Sequence, residues 1–308
     1  MSLDVCVIGE INLDLILYGL PETLEPEREI LADGFRLTLG SSSAIFAHNL
    51  SALGSRVGMI SKIGNDPLGK IALDRLVEGG VDVSRVRTSP NTATGVTVIL
   101  AQPTSRFILT YPGTMFELSY DDLDVDYIFS ARHLHLSSFF LHRALRPRIA
   151  DIFRAAKSRG LTTSLDTNDD PEDKWDDNLS EVLRSTDILF VNEREAEKIA
   201  CTADIHSALA KLTQIAHLVV VKLGPHGAIA REGSSEWPCP GLTVDVIDTV
   251  GAGDSFDAGY IHRFLQGASP GDCLKYANAA GAFSATKEGG TEAFRDRSSV
   301  AQFFRDRF

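Results

Sequence analysis

Residues 248–259 read Asp-Thr-Val-Gly-Ala-Gly-Asp-Ser-Phe-Asp-Ala-Gly, and the apolar run Leu242–Ile247 comes before them. This alternating run predicts a β-strand, the apolar residues after the glycines predict a helix, and the glycines themselves predict a tight turn. The first N–H groups of such a helix have no partner inside it and form an anion site, here at Gly251, Ala252 and Gly253. Asp254 adds a carboxylate that can accept the proton of an alcohol. Together these features favour phosphoryl transfer to a hydroxyl group.

A short Gly-x-Gly turn alone is a weak signal, because many α/β proteins contain one. The segment is also a poor dinucleotide fingerprint, since it lacks the third glycine and lies near the C-terminal end of the chain. The complete twelve-residue string is much more specific. It resembles the C-terminal signature of the ribokinase-like (PfkB) carbohydrate kinase family, in which the final acid of Gly-Ala-Gly-Asp is the catalytic base. The resemblance implies an ATP-dependent sugar kinase with Asp254 as its general base.

Composition is that of a globular protein, with 308 residues, 44% hydrophobic and 23% charged. A net charge of −12 argues against nucleic acid or an anionic membrane as partner, since both attract basic surfaces. The four cysteines form no Cys-x-x-Cys pair, which favours a reducing environment without a thiolate metal site. No apolar run reaches the roughly 20 residues of a membrane helix, and no signal-peptide pattern is present. We therefore expect a cytoplasmic protein.

Strand-like and helix-like segments alternate along the chain, for example the predicted helix Pro67–Glu78 and the predicted strand Leu218–Lys222. This alternation predicts an α/β fold with a mainly parallel sheet, in one domain spanning 1–308. The resemblance implies the three-layer sandwich of ribokinase-like proteins. Residues 12–38 and 92–112 break the rhythm with alternating apolar residues and turns. They are compatible with ordinary edge strands, but the resemblance favours a small β-sheet lid over the sugar, and a homodimer formed through the lids.

Two polar residues follow the first predicted strand, where ligands of open parallel sheets bind. Asn12 and Asp14 are two residues apart, so on an extended strand they face the same side and suit sugar hydroxyl groups. A solvated strand face would show the same pattern. The resemblance favours substrate binding, since an aspartate of the family's opening strand contacts the substrate.

Gly40, Ser41 and Ser42 precede a predicted helix and supply its capping hydroxyl groups. The family usually has two adjacent glycines here and, four residues after the second, an asparagine that contacts the sugar. This chain has Ser41 in place of the second glycine and Ile45 in place of the asparagine. One contact with the sugar is therefore expected to be absent, and the serines or His48 are candidates to replace it. This difference from the family leaves the identity of the substrate undetermined, but it does not affect the predicted reaction.

Two further segments are candidates for binding ATP and Mg²⁺. Asn192 and Glu195 have the spacing of a helix capping box, and they also resemble the family's Asn-x-x-Glu motif, which implies that Glu195 helps to organise Mg²⁺. The strand that ends at Lys222 runs into a turn containing Gly224 and Gly227. This segment resembles the family's nucleotide-binding turn, and Lys222 is either a phosphate-binding charge or a solvated lysine.

The remaining candidates depend on single residues. Asn278 matches the region that walls the adenine, Asn168 lies near the expected phosphates, and the resemblance implies a monovalent cation such as K⁺ near the 245–250 loop. Many relatives have an arginine where Asp170 stands, so that positive charge is absent here. Arg106, between the lid strands, is either a substrate contact or an ordinary surface arginine. His133 and His135 have no acidic or cysteine partner at metal spacing and are expected to be structural.

Three alternatives remain open beside a kinase acting on a primary hydroxyl group of a small sugar or sugar acid. A nucleoside kinase of the same fold would need a larger, aromatic-lined pocket, for which Ile45 leaves room. A sugar-phosphate kinase would need extra basic residues at the lid, where only Arg106 is present. A catalytically silent sugar-binding regulator is disfavoured by the intact Gly-Ala-Gly-Asp.

Overall fold

The chain is described by a computed structural model that covers residues 3–103, 105–176 and 178–308. Its larger sheet has nine strands, which are β1 (Leu3–Ile8), β4 (Val57–Gly64), β5 (Asp82–Ser89), β8 (Ala131–Ser137), β9 (Thr162–Asp166), β10 (Ile188–Asn192), β11 (Leu218–Lys222), β12 (Ala228–Glu232) and β13 (Ser235–Cys239). Their spatial order is β13-β12-β11-β10-β9-β8-β1-β4-β5. All pairs are parallel except β11–β12 and β12–β13.

Helices cover both faces of this sheet. They are α1 (Ser42–Ala52), α2 (Pro67–Glu78), α3 (Val125–Phe129), α4 (Ile149–Ser158), α5 (Leu179–Leu183), α6 (Glu193–Ala200), α7 (Ile205–Leu212), α8 (Ala252–Phe264), α9 (Pro270–Ser284) and α10 (Arg297–Arg305). Alternate residues of β1 belong to different apolar clusters: Cys6 and Ile8 pack with α3–α7, whereas Val5 and Val7 pack with α1, α2, α8 and α9. Since successive strand residues point to opposite faces, the molecule has the predicted three layers.

A separate sheet of four strands is formed by β2 (Asn12–Tyr18), β3 (Gly34–Gly40), β6 (Gly95–Ala101) and β7 (Arg106–Tyr111). Its order is β3-β2-β6-β7. Three of these strands lie within the two segments that the sequence singled out, and β3 extends two residues beyond the predicted end at 38. The strand β2 follows β1 after three residues. The small sheet therefore starts at the carboxyl edge of the parallel strands.

The predicted strand Leu242–Ile247 is wrong, because this segment pairs with no strand among the described residues. Its alternation does not reflect a buried face: Val246 and Ile247 are 61% and 60% exposed. The segment is held by the N–H groups of Ile247 and Asp248, which both donate to the carbonyl of Ala285. The glycine turn therefore follows an irregular loop instead of a strand.

Within the described part of the chain, none of the helices has both the length and the apolar character needed to cross a membrane.

Candidate active site

The glycine turn forms the N-terminus of α8. Gly251 is the N-cap with φ 71°, a left-handed conformation that favours glycine. A Cβ there would lie 2.5 Å from the Cα of Gly290 and 3.2 Å from Ile45 Cγ2, so a side chain does not fit. Among the described residues the N–H groups of Gly251 and Gly253 have no acceptor, as an anion site requires. The Ala252 N–H differs from the expectation, since it donates to the carbonyl of Thr249 at 3.3 Å.

Asp254 lies in the first turn of α8 and is half-buried. The pKa of Asp254 is raised to about 7; burial is the largest cause and the negative charge of Asp166 the second, while Lys222 and a hydrogen bond from Ser42 oppose the rise. A carboxyl group with such a pKa can gain and lose a proton near neutrality, as a general base must. Ser42, at the start of α1, was expected to bind the substrate, and in the structure it contacts the expected base.

Asn12 and Asp14 lie together on the inner face of the small sheet, against Gly40. A Cβ on Gly40 would lie 2.1 Å from Asp14 Oδ1 and 2.5 Å from Asn12 Oδ1. Asn12 Nδ2 donates to Thr97 Oγ1 at 2.8 Å, whereas its Oδ1 is buried without a partner among the described residues. An orphaned buried acceptor is costly, and a substrate hydroxyl group would satisfy it.

Asp14 faces the glycine turn. The pKa of Asp14 is raised to about 7; burial is the largest cause, followed by the charges of Asp254 and Asp248, while Arg106 opposes the rise. Arg106 reaches from the edge strand β7 to the same turn, with Nη1 3.4 Å from Thr249 Oγ1. The structure thus brings Asp14, Arg106 and Asp254 to one cleft although they are far apart in the sequence.

Ser41 and Ile45, which stand where the family has a glycine and an asparagine, offer no polar group that could replace the asparagine amide. Ser41 has φ 66° and caps α1 by accepting from the Ala44 N–H at 3.1 Å. Its hydroxyl group donates to the carbonyl of Glu10 at 2.6 Å, so it points into the protein. Ile45 is buried and packs on Gly251 and Gly290. This side of the cleft is therefore apolar where the family offers an amide.

Glu10 is a buried residue that the sequence analysis missed. Its carboxylate accepts from Ser43 Oγ and Ser138 Oγ, each at 2.8 Å, and lies 3.2 Å from His142 Nε2. Burial acts to raise the pKa of Glu10, but the hydrogen bond and charge of His142 outweigh it and lower the pKa. The available signal was its position directly after β1, at the ligand-binding edge of the sheet.

Asn168 and Asp170 stabilise the loop after β9. Asn168 Oδ1 accepts from the N–H of Ser138 at 2.8 Å, so it supports the backbone of the neighbouring loop. Asp170 accepts from three backbone N–H groups, those of Glu172, Lys174 and Trp175. The residue that replaces the relatives' arginine thus closes its own loop and supplies no positive charge.

Lys222 lies at the end of β11 and is not solvated. Its ammonium group donates to Asp166 Oδ2 at 2.7 Å and to Asp257 Oδ2 at 3.2 Å. Burial acts to lower the pKa of Lys222, but Asp166 and Asp257 outweigh it and raise the pKa. Neither aspartate was a candidate from the sequence, although Asp257 stands in the signature itself.

Asn192 and Glu195 form the capping box of α6. Glu195 Oε2 accepts from the Asn192 N–H at 2.8 Å, and Asn192 Oδ1 accepts from the Glu195 N–H at 2.9 Å. Burial and the charge of Asp166 raise the pKa of Glu195 to about 7. In the described part of the chain no three His, Cys, Asp or Glu residues are grouped to hold a metal ion. Single carboxylates such as Glu195 fit Mg²⁺, which binds few protein oxygens and keeps several waters.

The glycines after Lys222 differ from each other. Gly224 has φ 57° and open space at its Cβ position, as expected where a ligand approaches the backbone. Gly227 has φ 97°, and a Cβ there would lie 2.1 Å from the carbonyl of Cys239, so it serves the packing of its own turn. Asn278 Nδ2 donates to the carbonyl of Pro240 at 3.0 Å and borders a mostly apolar cavity of about 490 Å³ beside Trp237.

The two strand histidines are internal. His133 bonds to Thr162 and Ser164, and His135 bonds to Ser164 and Ser137, at 2.7 to 2.8 Å. Burial lowers the pKa of His133 to about 3, so its ring is neutral at physiological pH. Both nitrogen atoms of each ring have a hydrogen-bond partner within the large sheet, so neither ring is available to bind a ligand.

Comparison with known proteins shows the class to which this chain belongs, which is the carbohydrate kinases. The model of the pfkB family carbohydrate kinases matches residues 2–297, and the chain belongs to this family. It is 31% identical over 302 residues to the ATP-dependent ribose-1-phosphate kinase of Halopiger xanaduensis, with 97% of each chain covered. It is also 31% identical over 293 residues to the 2-dehydro-3-deoxygluconokinase of Bacillus subtilis, with 87% of each covered.

The fold has a solved counterpart. An E. coli protein provisionally named ribokinase II, in complex with ATP and Mg²⁺, superimposes with a TM-score of 0.85 at 25% identity. The match covers 99% of this chain and 100% of the other. The ribokinase-like fold predicted from the sequence is thereby confirmed.

Proposed function

We propose that this carbohydrate kinase transfers the γ-phosphoryl group of ATP to a primary hydroxyl group of a small sugar or sugar acid, with Asp254 as general base. The observation that carries the proposal is the position of Asp254, beside the N–H groups of Gly251 and Gly253 and with a pKa raised to about 7. In this arrangement Asp254 accepts the hydroxyl proton while the helix N-terminus stabilises negative charge on the phosphoryl oxygens.

The acceptor is held by the small sheet. The free Oδ1 of Asn12 and the carboxyl group of Asp14 accept hydrogen bonds from sugar hydroxyl groups, and Gly40 lets both side chains approach the turn. The small sheet would act as a lid that excludes water, a competing acceptor. Ser42 holds Asp254 through its hydrogen bond, and Ser41 fixes the start of α1.

ATP would lie along the carboxyl edge of β10 and β11, with its base near Gly224 and Asn278 and its phosphates near Lys222. A bound Mg²⁺ supplies charge neutralisation between the phosphates, and Glu195 and Asn192 would hold it, through water where needed. Asn168 and Gly227 contribute by shaping the loops around this site. A monovalent cation such as K⁺ beside the 245–250 loop and a cytoplasmic location stay predictions.

An anionic acceptor is the second candidate, and Arg106 favours it. Its guanidinium group lies at the mouth of the cleft beside Asp14 and Thr249, where it would bind a phosphate or carboxylate carried by the sugar. Two of the relatives are named for a sugar phosphate and a sugar acid. A nucleoside acceptor lacks such a group and is the less favoured alternative.

The outer face of the small sheet supports a homodimer through the lids. The residues of β7 that alternate with Arg106 on the opposite face are about half exposed, namely Phe107 at 51%, Leu109 at 55% and Tyr111 at 52%. Phe35 on β3 adds a further 70% exposed ring. Several exposed apolar side chains on one sheet face are typical of a protein–protein interface, and we propose that a second copy of the chain covers this face.

The decisive experiment is Asp254→Asn. The acceptor is first identified by ADP release with ribose, ribose 1-phosphate, 2-dehydro-3-deoxygluconate and adenosine. The variant is then expected to lose turnover by about 10³-fold, the usual contribution of a general base, while nucleotide affinity stays within about threefold because no phosphate contact is removed.

The matched control is Asp151→Asn, an exposed aspartate of α4, which is expected to leave turnover unchanged. Residual turnover of Asp254→Asn above a tenth of the wild-type rate would show that another group takes the proton. A wild-type protein that binds nucleotide but phosphorylates none of the acceptors would favour a sugar-binding regulator.

A further inference from the structure

A buried cluster of one lysine and two aspartates lies below the glycine turn. Lys222 comes from the end of β11, Asp166 from the end of β9 and Asp257 from α8. The lysine side chain is 14% exposed, and each aspartate side chain is 1% exposed. Water therefore does not screen these charges, and their contacts are stronger than those of a surface ion pair.

The ammonium group of this cluster touches the anion site. A Cβ built on Gly253 would lie 3.5 Å from Lys222 Nζ, so the positive charge lies next to Gly253, whose N–H group has no acceptor within the described residues. Asp257 lies three residues after Asp254, so both carboxyl groups are on one side of α8. The cluster therefore packs against both the expected base, Asp254, and the glycine turn.

The charges of the cluster do not balance if both aspartates are ionised. One ammonium group then faces two buried carboxylates, and an uncompensated buried charge is very costly. Asp257 Oδ1 is moreover buried without any donor among the described residues. Protonation of Asp257 removes the surplus negative charge and lets its carboxyl group donate to Asp166, to which it is hydrogen-bonded.

The electrostatics of the two carboxyl groups agree with this assignment. Burial raises the pKa of Asp257 well above its usual range, although Lys222 opposes the rise. For Asp166 burial acts in the same direction, but Lys222 and the hydrogen bond from Asp257 outweigh it and lower the pKa. The cluster therefore has one ionised and one neutral carboxyl group under one ammonium group.

We propose that Asp257 is a positioning residue which, as a neutral carboxyl group hydrogen-bonded to Asp166, holds the Lys222 ammonium group against the Gly253 end of the anion site, where it binds a phosphate of the nucleotide. This inference rests on the proposed function, because it assumes that nucleotide phosphates occupy the site. It assigns a role to a residue of the signature that lies one helical turn away from the base.

The experiment compares Asp257→Asn with Asp257→Leu. Asparagine has the same shape, and its amide donates to Asp166 as the neutral carboxyl group does, whereas leucine has neither donor nor acceptor. Affinity for the magnesium complex of a non-hydrolysable ATP analogue is measured by calorimetry. Asp257→Asn is expected within about threefold of wild type, and Asp257→Leu about tenfold weaker, the size of one lost charge-assisted hydrogen bond.

Lys222→Met tests whether the effect passes through the lysine. It is expected to weaken binding by about tenfold or more, and Asp257→Leu in the Lys222→Met background is expected to add nothing, as coupled residues behave in a double-mutant cycle. The matched control is the exposed pair Asp272 and Lys275 on α9, whose ion pair spans 3.0 Å. Asp272→Leu and Lys275→Met are expected to leave nucleotide affinity unchanged.

Three results would overturn the inference. If Asp257→Asn binds the nucleotide analogue as weakly as Asp257→Leu does, Asp257 acts as a charged counter-ion. Asp257→Leu with wild-type affinity but a lowered melting temperature would show a purely structural role. Additive effects of Asp257→Leu and Lys222→Met would show that the two residues act independently.

The test remains decisive if Asp257→Leu does not fold. Asp166→Asn removes the ionised partner and is expected to weaken binding, whereas Asp257→Asn is not, and equal affinities of these two variants contradict the inference. Failure of the proposed function is distinguishable, because it appears as wild-type protein that binds the nucleotide analogue but has no turnover with any acceptor.

Discussion

At the scale of single residues, three carboxyl groups around the cleft have pKa values raised to about 7, those of Asp14, Glu195 and Asp254. Burial is the first cause in each case, and neighbouring acids are the second. In the free protein the ionised form of these side chains is unfavourable. A bound ligand that carries positive charge or hydrogen-bond donors would stabilise it. Such destabilised sites are typical of enzymes, where activity and stability compete.

The raised pKa values predict how stability depends on pH. Between about pH 4 and pH 7 the native state binds protons at these carboxyl groups while the unfolded chain does not, so the free energy of unfolding falls as pH rises. Asp254→Asn removes one of these groups and is expected to raise the melting temperature at pH 8 by about 3 °C, with a smaller gain at pH 5. Calorimetry at both pH values checks this, and a lower melting temperature of the variant at pH 8 would contradict it.

Ser41 shows backbone strain at the start of α1. Its φ of 66° is unfavourable for any residue with a Cβ. Ser41→Gly and Ser41→Ala lose the same two hydrogen bonds, but only glycine relieves the strain. We expect Ser41→Gly to be more stable than Ser41→Ala by about 1 to 2 kcal/mol in urea unfolding.

Ser158, in the last turn of α4, is the control for this comparison. Its backbone is helical, so alanine there is expected to be the more stable of the two substitutions. Equal stabilities of Ser41→Gly and Ser41→Ala would show that the positive φ carries no cost.

At the scale of elements, local capping explains why some helix boundaries could be predicted correctly from the sequence. The predicted helix Pro67–Glu78 has the same bounds in the structure, because Asp66 accepts from the Gly69 N–H at the N-terminus and proline occupies the first position. Leu242–Ile247 has an equally good pattern but no neighbouring strand. Alternation identifies a strand only where a partner strand exists, and that depends on the whole sheet.

The small sheet is the element on which the proposed dimer depends. Leu109→Lys places a charge among the exposed apolar residues of the edge strand β7 and is expected to weaken self-association by at least about tenfold, since a buried unpaired charge costs more than 1.4 kcal/mol. Sedimentation velocity over a concentration series measures it. Val77→Lys changes a similarly exposed residue of α2, 56% exposed, and is expected to have no effect.

A wild-type protein that is monomeric at tens of micromolar, or a Leu109→Lys variant that associates as strongly as wild type, would exclude the lid face as the interface.

At the scale of the whole molecule, the small sheet contacts the loop that leads to the glycine turn. Tyr18 Oη donates to Asp248 Oδ2 at 2.9 Å, and the same carboxylate oxygen accepts from the Gly289 N–H at 2.9 Å. Val250 packs against Ile16 and Ile99 of the small sheet. The loop that leads to the glycine turn therefore also holds the small sheet, the proposed lid, in place.

This arrangement predicts that the lid contact affects the sugar more than the nucleotide. Tyr18→Phe removes the hydrogen bond to Asp248 and is expected to raise the KM for the sugar about fivefold, the effect of one hydrogen bond of about 1 kcal/mol, with nucleotide affinity unchanged. Steady-state kinetics with both substrates varied measure it.

Tyr127→Phe is the matched control, because Tyr127 Oη also donates to an aspartate, Asp82 Oδ2 at 2.8 Å. It is expected to leave both constants unchanged. A rise in the KM for ATP equal to that for the sugar would show that Tyr18 does not act through the lid.

The sequence by itself predicted the α/β class and the small sheet, both of which the structure has, and it led to the proposal of a reaction centre around Asp254. These predictions depend on local spacing, capping and one contiguous signature. Only the tertiary structure showed that Lys222 is buried between Asp166 and Asp257 and that Glu10 joins Ser43, Ser138 and His142. The partners Lys222 and Asp166 are 56 residues apart, and Glu10 and Ser138 are 128 apart. Such pairs meet only because the order of strands brings their carboxyl ends to one edge, and neither periodicity nor spacing along the chain contains that order.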